Sequence, residues 1–182
     1  EDFFASEATI LILAAGTIAA ALFGPTFLST AETTNSMIAD MQAQWTAWPT
    51  LFLGGVAAAL FIAKAPDGLA DWGWANWQIA GAAAYAAHVY AGFWLVFGGS
   101  FEAMFAKQGD MVAWSNLILL ILWVASAAAA WMKWRGAWLH IAATALFMIS
   151  GMLSAYFMGD SVVYLAGAIA LGWVGAAIAR FG

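Results

Sequence analysis

Two side chains in this sequence are suited to hold a metal-bearing group: the imidazoles of His88 and His140, its only histidines. Both fall inside long apolar runs. A neutral imidazole surrounded by hydrocarbon still needs partners for its ring nitrogens, so each is either hydrogen-bonded to a neighbouring helix or bound to a metal. Ala84 and Gly92 lie one helical turn to either side of His88, with Gly81 two turns back, and His140 has Gly136 before it and Thr144 after it. Small residues at those offsets leave room beside the imidazole for the plane of a porphyrin or chlorin. The candidate cofactor-binding residues are therefore His88, His140, Ala84, Gly92, Gly136 and Trp94, with His88 and His140 as the metal ligands. Haem b is the first expectation for the bound group and a chlorophyll-type pigment the second; the alternative is purely structural hydrogen bonding with no cofactor.

Other chemistry finds little support. There is no cysteine, which removes thiolate metal sites, covalent haem attachment and cysteine catalysis. No Asp, Glu, Lys or Arg stands in the middle of an apolar run, which argues against proton pumps, ion-coupled transporters and voltage sensors. No filter-like sequence or nucleophile elbow is present, so no catalytic residue is expected. Tyr85, Tyr90, Asn116, Ser126, Ser150 and Ser154 read as polar glue between helices, and Met148, Met152 and Met158 as packing.

The elements that must carry the histidines follow from composition. Hydrophobic residues make up 65% of the 182 positions and charged residues 8%, the signature of an all-α integral membrane protein. At about 1.5 Å rise per residue against a hydrocarbon core of about 30 Å, the apolar runs give about six transmembrane helices in one domain. Their approximate extents are 9–28, 46–63, 77–99, 111–132, 136–157 and 162–179. Five spans result if the second is re-entrant or the last lies shallow. Continuous Ala- and Leu-rich runs exclude the alternation of a β-barrel strand. Between the first two spans, Ser29 and Glu32 fit a capping box, and Met37, Met41 and Trp45 form a stripe. A short amphipathic helix on the outer membrane face is expected there.

Lys64, Lys133, Arg135 and Arg180 follow spans two, four and six, so the positive-inside rule places those junctions and both termini in the cytoplasm. The expected location is a bacterial inner membrane. Tryptophan clusters at 72–77 and 131–138 suit the headgroup level, and small-residue faces such as Gly81, Ala84, Ala87 and Ala91 suit close helix packing. The expected surroundings are the lipid bilayer and other membrane subunits; a net charge of -5 with five basic residues offers no surface for nucleic acid.

Ala84, His88, Gly92 and Trp94 together resemble the Ala-x-x-x-His pattern of bacterial light-harvesting helices and are similar to haem-ligand helices of membrane cytochromes b. The resemblance covers one helix and implies a tetrapyrrole bound through His88. Measured from Trp77, His88 is about 16 Å deep, and measured from Trp134, His140 is about 9 Å deep. One haem shared by both rings needs that offset removed; two separate sites do not. Two functions are expected from these residues. The first is a cofactor-bearing subunit of an electron-transfer complex. The second is a non-catalytic accessory or scaffold subunit of a larger respiratory or photosynthetic assembly. On the topology, reporter fusions after Lys133 should read cytoplasmic and fusions after Lys107 external; a cytoplasmic reading after Lys107 contradicts the six-span arrangement.

Overall fold

The computed structural model describes residues 7–64, 72–134 and 136–158. These form helices and connecting turns, with no strand among the described residues. Helix α1 spans Glu7–Phe27, α2 Asn35–Lys64, α3 Trp72–Tyr90 continued by a π-helical stretch Ala91–Val96, α4 Phe101–Gln108, α5 Asp110–Trp131 and α6 Ala137–Met158. Four helical segments are long and apolar enough to cross a membrane: Thr9–Phe27, Asn35–Ile62, Trp74–Val96 and Asp110–Trp131. The apolar stretch recorded for α6, Ala137–Ser150, is shorter. The expected sixth span, 162–179, lies outside the described residues.

Polarity is distributed as a bilayer requires. Leu11, Ile12, Phe23, Ile62, Ile118, Ile121 and Ile141 are exposed, while the buried polar residues are Thr46, Thr50, Asn76, Gln78, Ser126, His140 and Ser150. Apolar side chains turned outward gain from lipid contact, whereas polar ones turned inward find partners on neighbouring helices. Trp131, Trp134 and Trp138 are exposed, whereas Trp74, expected at the headgroup level, and Trp123 are core residues.

The segment before span two differs from expectation. Residues 35–45 do not form a separate amphipathic helix on the membrane face, because α2 is one helix of 30 residues. Two contacts with α1 explain this. The Gln42 amide donates to the Leu22 carbonyl at 2.6 Å, and the Trp45 indole lies where a Cβ on Gly24 would stand, 2.8 Å from its nearest ring atom. The stripe thus packs on α1 at Trp45. The capping box is displaced too: the Ser29 hydroxyl donates back to the Thr26 carbonyl, and the helix starts where the Thr34 hydroxyl accepts from the Met37 N–H.

A short amphipathic helix is present elsewhere, as α4. Its cap is Ser100, whose hydroxyl accepts from the Ala103 N–H; Glu102 in the first turn and Lys107 in the last oppose the helix dipole, and Met104 is buried. Before it, α3 ends in the π-helical stretch, where the Phe97 N–H reaches the Gly92 carbonyl at 3.0 Å. Gly98 and Gly99 then turn the chain with φ of 60° and 75°, a conformation that side chains resist.

At mid-bundle, α2, α3 and α5 meet around Trp123. Gly54 and Gly81 face each other closely enough that a Cβ on Gly81 would stand 3.2 Å from the Gly54 backbone and 2.9 Å from the indole. A Cβ on Gly54 would overlap the same ring. Tyr85 and Phe147 complete the aromatic cluster, with centroids 5.3 and 4.7 Å from that of Trp123. Gly54→Ala is expected to destabilise the bundle by about 1–3 kcal/mol through overpacking. The Trp123→Phe background should recover part of that loss in a thermal unfolding series in detergent, and equal losses in both backgrounds would show that the ring is not the obstacle.

Candidate functional site

His88 stands on α3 half-buried against α2. Its Nδ1 lies 3.0 Å from the Ala43 carbonyl and 3.3 Å from the Thr46 hydroxyl. A carbonyl can only accept, so Nδ1 carries the proton and donates. The Thr46 hydroxyl is free to accept as well, since its own proton goes to the Gln42 carbonyl at 2.8 Å or the Ala43 carbonyl at 3.0 Å. Both recorded hydrogen bonds of the ring therefore run through Nδ1, and Nε2 is the nitrogen that bears the lone pair. Metal-bound histidines commonly have this outer partner, which fixes tautomer and orientation.

The space expected around His88 exists on one side only. A Cβ built on Gly92 meets nothing within 4 Å, so the turn after the histidine is open. Ala84 fails as a lining residue: it is fully buried in a cluster with Ile10, Ala14, Leu53 and Ala80, where its small size serves close approach of α1, α2 and α3. Trp94 is also not directed to His88. It is exposed, stacks edge-on with Phe93 at 5.3 Å and covers Gly99, where a Cβ would stand 2.6 Å from its ring.

His140 is placed quite differently. At 1% exposure it is among the most deeply buried side chains. Gln78 Nε2 donates to the Ser126 hydroxyl at 2.8 Å, and that hydroxyl lies 2.7 Å from His140 Nδ1. The serine oxygen, accepting from Gln78, keeps a second lone pair and its own proton, so it pairs with His140 Nδ1 in either tautomer of the ring. Nε2 is buried with no hydrogen-bond partner among the described residues, as are the indole nitrogens of Trp74 and Trp123. Trp74 and Phe61 enclose the imidazole, with ring centroids 4.8 and 6.1 Å away.

Gly136 does not open a space beside His140. The Trp134 indole occupies the position where a Cβ would stand, 2.5 Å from the nearest ring atom. Thr144 borders a crevice shared with Gly54, Ala58, Gln78, Trp123, Ala143 and Phe147, which is too narrow to admit even a water molecule. His140 thus joins α6 to α5 and α3 through Ser126 and Gln78, with no open space at Gly136 beside it.

The two histidines are also far apart along the bundle. His140 contacts Trp74, at the start of α3, and His88 lies fourteen residues further along that helix. The rise between them is about 21 Å, larger than the roughly 7 Å offset expected from sequence. One ring shared by both imidazoles does not fit. No group of three or more His, Cys, Asp or Glu that could hold a metal ion occurs among the described residues.

A third polar cluster links the same helices toward the other end. The Tyr85 hydroxyl donates to the Asn116 carbonyl at 3.0 Å, the Ser150 hydroxyl to Asn116 Oδ1 at 2.8 Å, and Asn116 Nδ2 to Gln108 Oε1 at 3.4 Å. Comparison with family models, curated proteins and solved structures finds no match to this chain, so the geometry alone carries the functional argument.

Sequence reasoning overlooked Gln78 and Thr46. Each is a polar side chain on an otherwise apolar helix, which is the signal that could have found them. Ser126→Ala should lower stability by about 1–3 kcal/mol, because it leaves the Gln78 amide and His140 Nδ1 without their shared partner. Detergent unfolding of Ser126→Ala, compared with Ser115→Ala, a half-buried serine bonded only within its own helix, as a reference, checks this, and equal losses would contradict the network.

Proposed function

We propose that this chain is a helical membrane subunit of an electron-transfer or light-absorbing assembly in a bacterial cytoplasmic membrane, and that it holds a metal tetrapyrrole through His88. The observation that carries the reading is the Nδ1–H bond to the Ala43 carbonyl at 3.0 Å. It fixes the lone pair on Nε2, the state in which neutral imidazole ligates metals. Gly92 keeps the adjacent turn open, as a flat ring beside the imidazole requires.

The residues contribute binding and orientation. The Ala43 carbonyl and Thr46 set the ring angle, and the burial of Ala84 fixes the distance between α3 and its neighbours. A bound haem or chlorin would supply the redox or optical chemistry.

A second reading, a non-catalytic scaffold subunit, is favoured by the character of the interior. The buried polar residues among those described include no Asp, Glu, Lys or Arg, and several of them are tied between helices.

The deciding experiment is the absorption spectrum of the chain purified in mild detergent with its partners retained. A Soret or chlorin band should be present, should be lost or shifted in His88→Ala, and should persist in His140→Ala. Colourless wild-type protein leaves the scaffold reading in place, and loss of the band in His140→Ala alone contradicts the choice of ligand.

A further inference from the structure

Independently of any ligand at His88, we propose that α4 is a membrane-surface helix, seated in the headgroup layer of a zwitterionic bilayer by a collar of aromatic side chains. The collar draws on both helices that flank α4. Phe93 and Trp94 come from the end of α3, Phe101 and Phe105 from α4 itself, and Trp114 from the first turns of α5. Ring centroids of Phe101 and Trp94 lie 4.7 and 5.3 Å from that of Phe93, and Phe105 meets Trp114 edge-on at 5.3 Å. The rings hold one another, yet Trp94, Phe101 and Trp114 remain 58%, 56% and 56% exposed. Behind them α4 is fixed to the bundle, since Met104 is buried and Asn116 Nδ2 donates to Gln108 Oε1 at 3.4 Å. The π-helical stretch leads directly into this arrangement. Gly98 and Gly99 follow it with positive φ, and Trp94 lies over Gly99, so the chain turns straight back onto the rings it has just left.

The chemistry of the exposed groups identifies the partner as lipid headgroups. Indole carries a large apolar surface and one N–H donor, a combination that favours the headgroup level over either hydrocarbon or water. Glu102, Ala103, Ala106 and Lys107 are exposed on α4, which adds one carboxylate and one ammonium to the rings. A charge of each sign complements the amine and the phosphate of a zwitterionic lipid. Position agrees with this chemistry. The two segments that α4 joins, Trp74–Val96 and Asp110–Trp131, are each long and apolar enough to cross a membrane, so the connection between them lies at a bilayer surface. Exposed Leu95 and Ile118 continue the collar into the outward faces of those two segments.

The chain has no cysteine, so single spin labels can be placed in it by Ala103→Cys and Ala106→Cys on α4 and by Ile121→Cys on α5. Ile121 lies about 16 Å further along α5 than Asp110. The labelled full-length chain is placed in phosphatidylcholine–phosphatidylethanolamine vesicles, with oxygen as the lipid-soluble relaxing agent and a nickel chelate as the water-soluble one. Both α4 labels should report the same headgroup depth, and the Ile121→Cys label a depth well inside the hydrocarbon. Adding Trp94→Ser, Phe101→Ser and Trp114→Ser together should raise nickel access at the Ala106→Cys label by about threefold or more. The Ile121→Cys reading should not change in that background, because the spans stay inserted. If the triple variant fails to insert, the depth comparison without it still decides. Labels on α4 that are fully open to the nickel chelate, or as deep as the Ile121→Cys label, overturn the proposal. Unchanged nickel access in an inserted triple variant overturns the role of the collar, and spin–spin broadening between α4 labels of different molecules shows a second copy in place of lipid.

Discussion

The seating of the Trp123 indole against Gly54 and Gly81 sets the spacing on which the rest of the bundle depends. The indole cannot enter between α2 and α3 unless both helices present a bare backbone there, and the two glycines bring those backbones to van der Waals contact. This close approach brings short polar side chains within hydrogen-bonding reach on either side. Toward the start of α3 the distances from Gln78 to Ser126 and from Ser126 to His140 are 2.8 and 2.7 Å. Toward its end Tyr85 reaches Asn116 at 3.0 Å. Wider helix separation would leave these groups unpaired in hydrocarbon, where no water replaces the lost partner.

The same scarcity of water separates the two histidines chemically. Each ring is held through Nδ1, but by different kinds of partner. The Ala43 carbonyl accepts a proton from His88 and leaves Nε2 basic, whereas the Ser126 hydroxyl, with one proton and two lone pairs, pairs with either tautomer of His140. Burial reinforces the contrast. His88 adjoins an open turn, while His140 is enclosed by Trp74 and Phe61.

Much of the architecture was legible because lipid imposes a simple rule on helix length and polarity. The positions of spans one, three and four agree with the helices to within several residues. The start of α2 was misread because its Met37, Met41 and Trp45 stripe is equally consistent with a surface helix or with the continuation of a span. The contact of Trp45 with Gly24 decides between them, and that contact is tertiary. In the candidate site, His88 and Gly92 could be found from spacing alone. Ala84 and Gly136 could not be judged that way, since a small residue leaves a hollow only if no other side chain fills it. At Gly136 the Trp134 indole does so, and at Ala84 a neighbouring helix does.

The central claim is that the bundle prepares His88 to act as a ligand. Nitrogen-15 NMR of the two imidazoles in the cofactor-free protein in detergent tests it most directly, with His88→Gln and His140→Gln used to identify the signals. His88 should show a protonated Nδ1 and an unprotonated Nε2. A protonated Nε2 on His88 would contradict it.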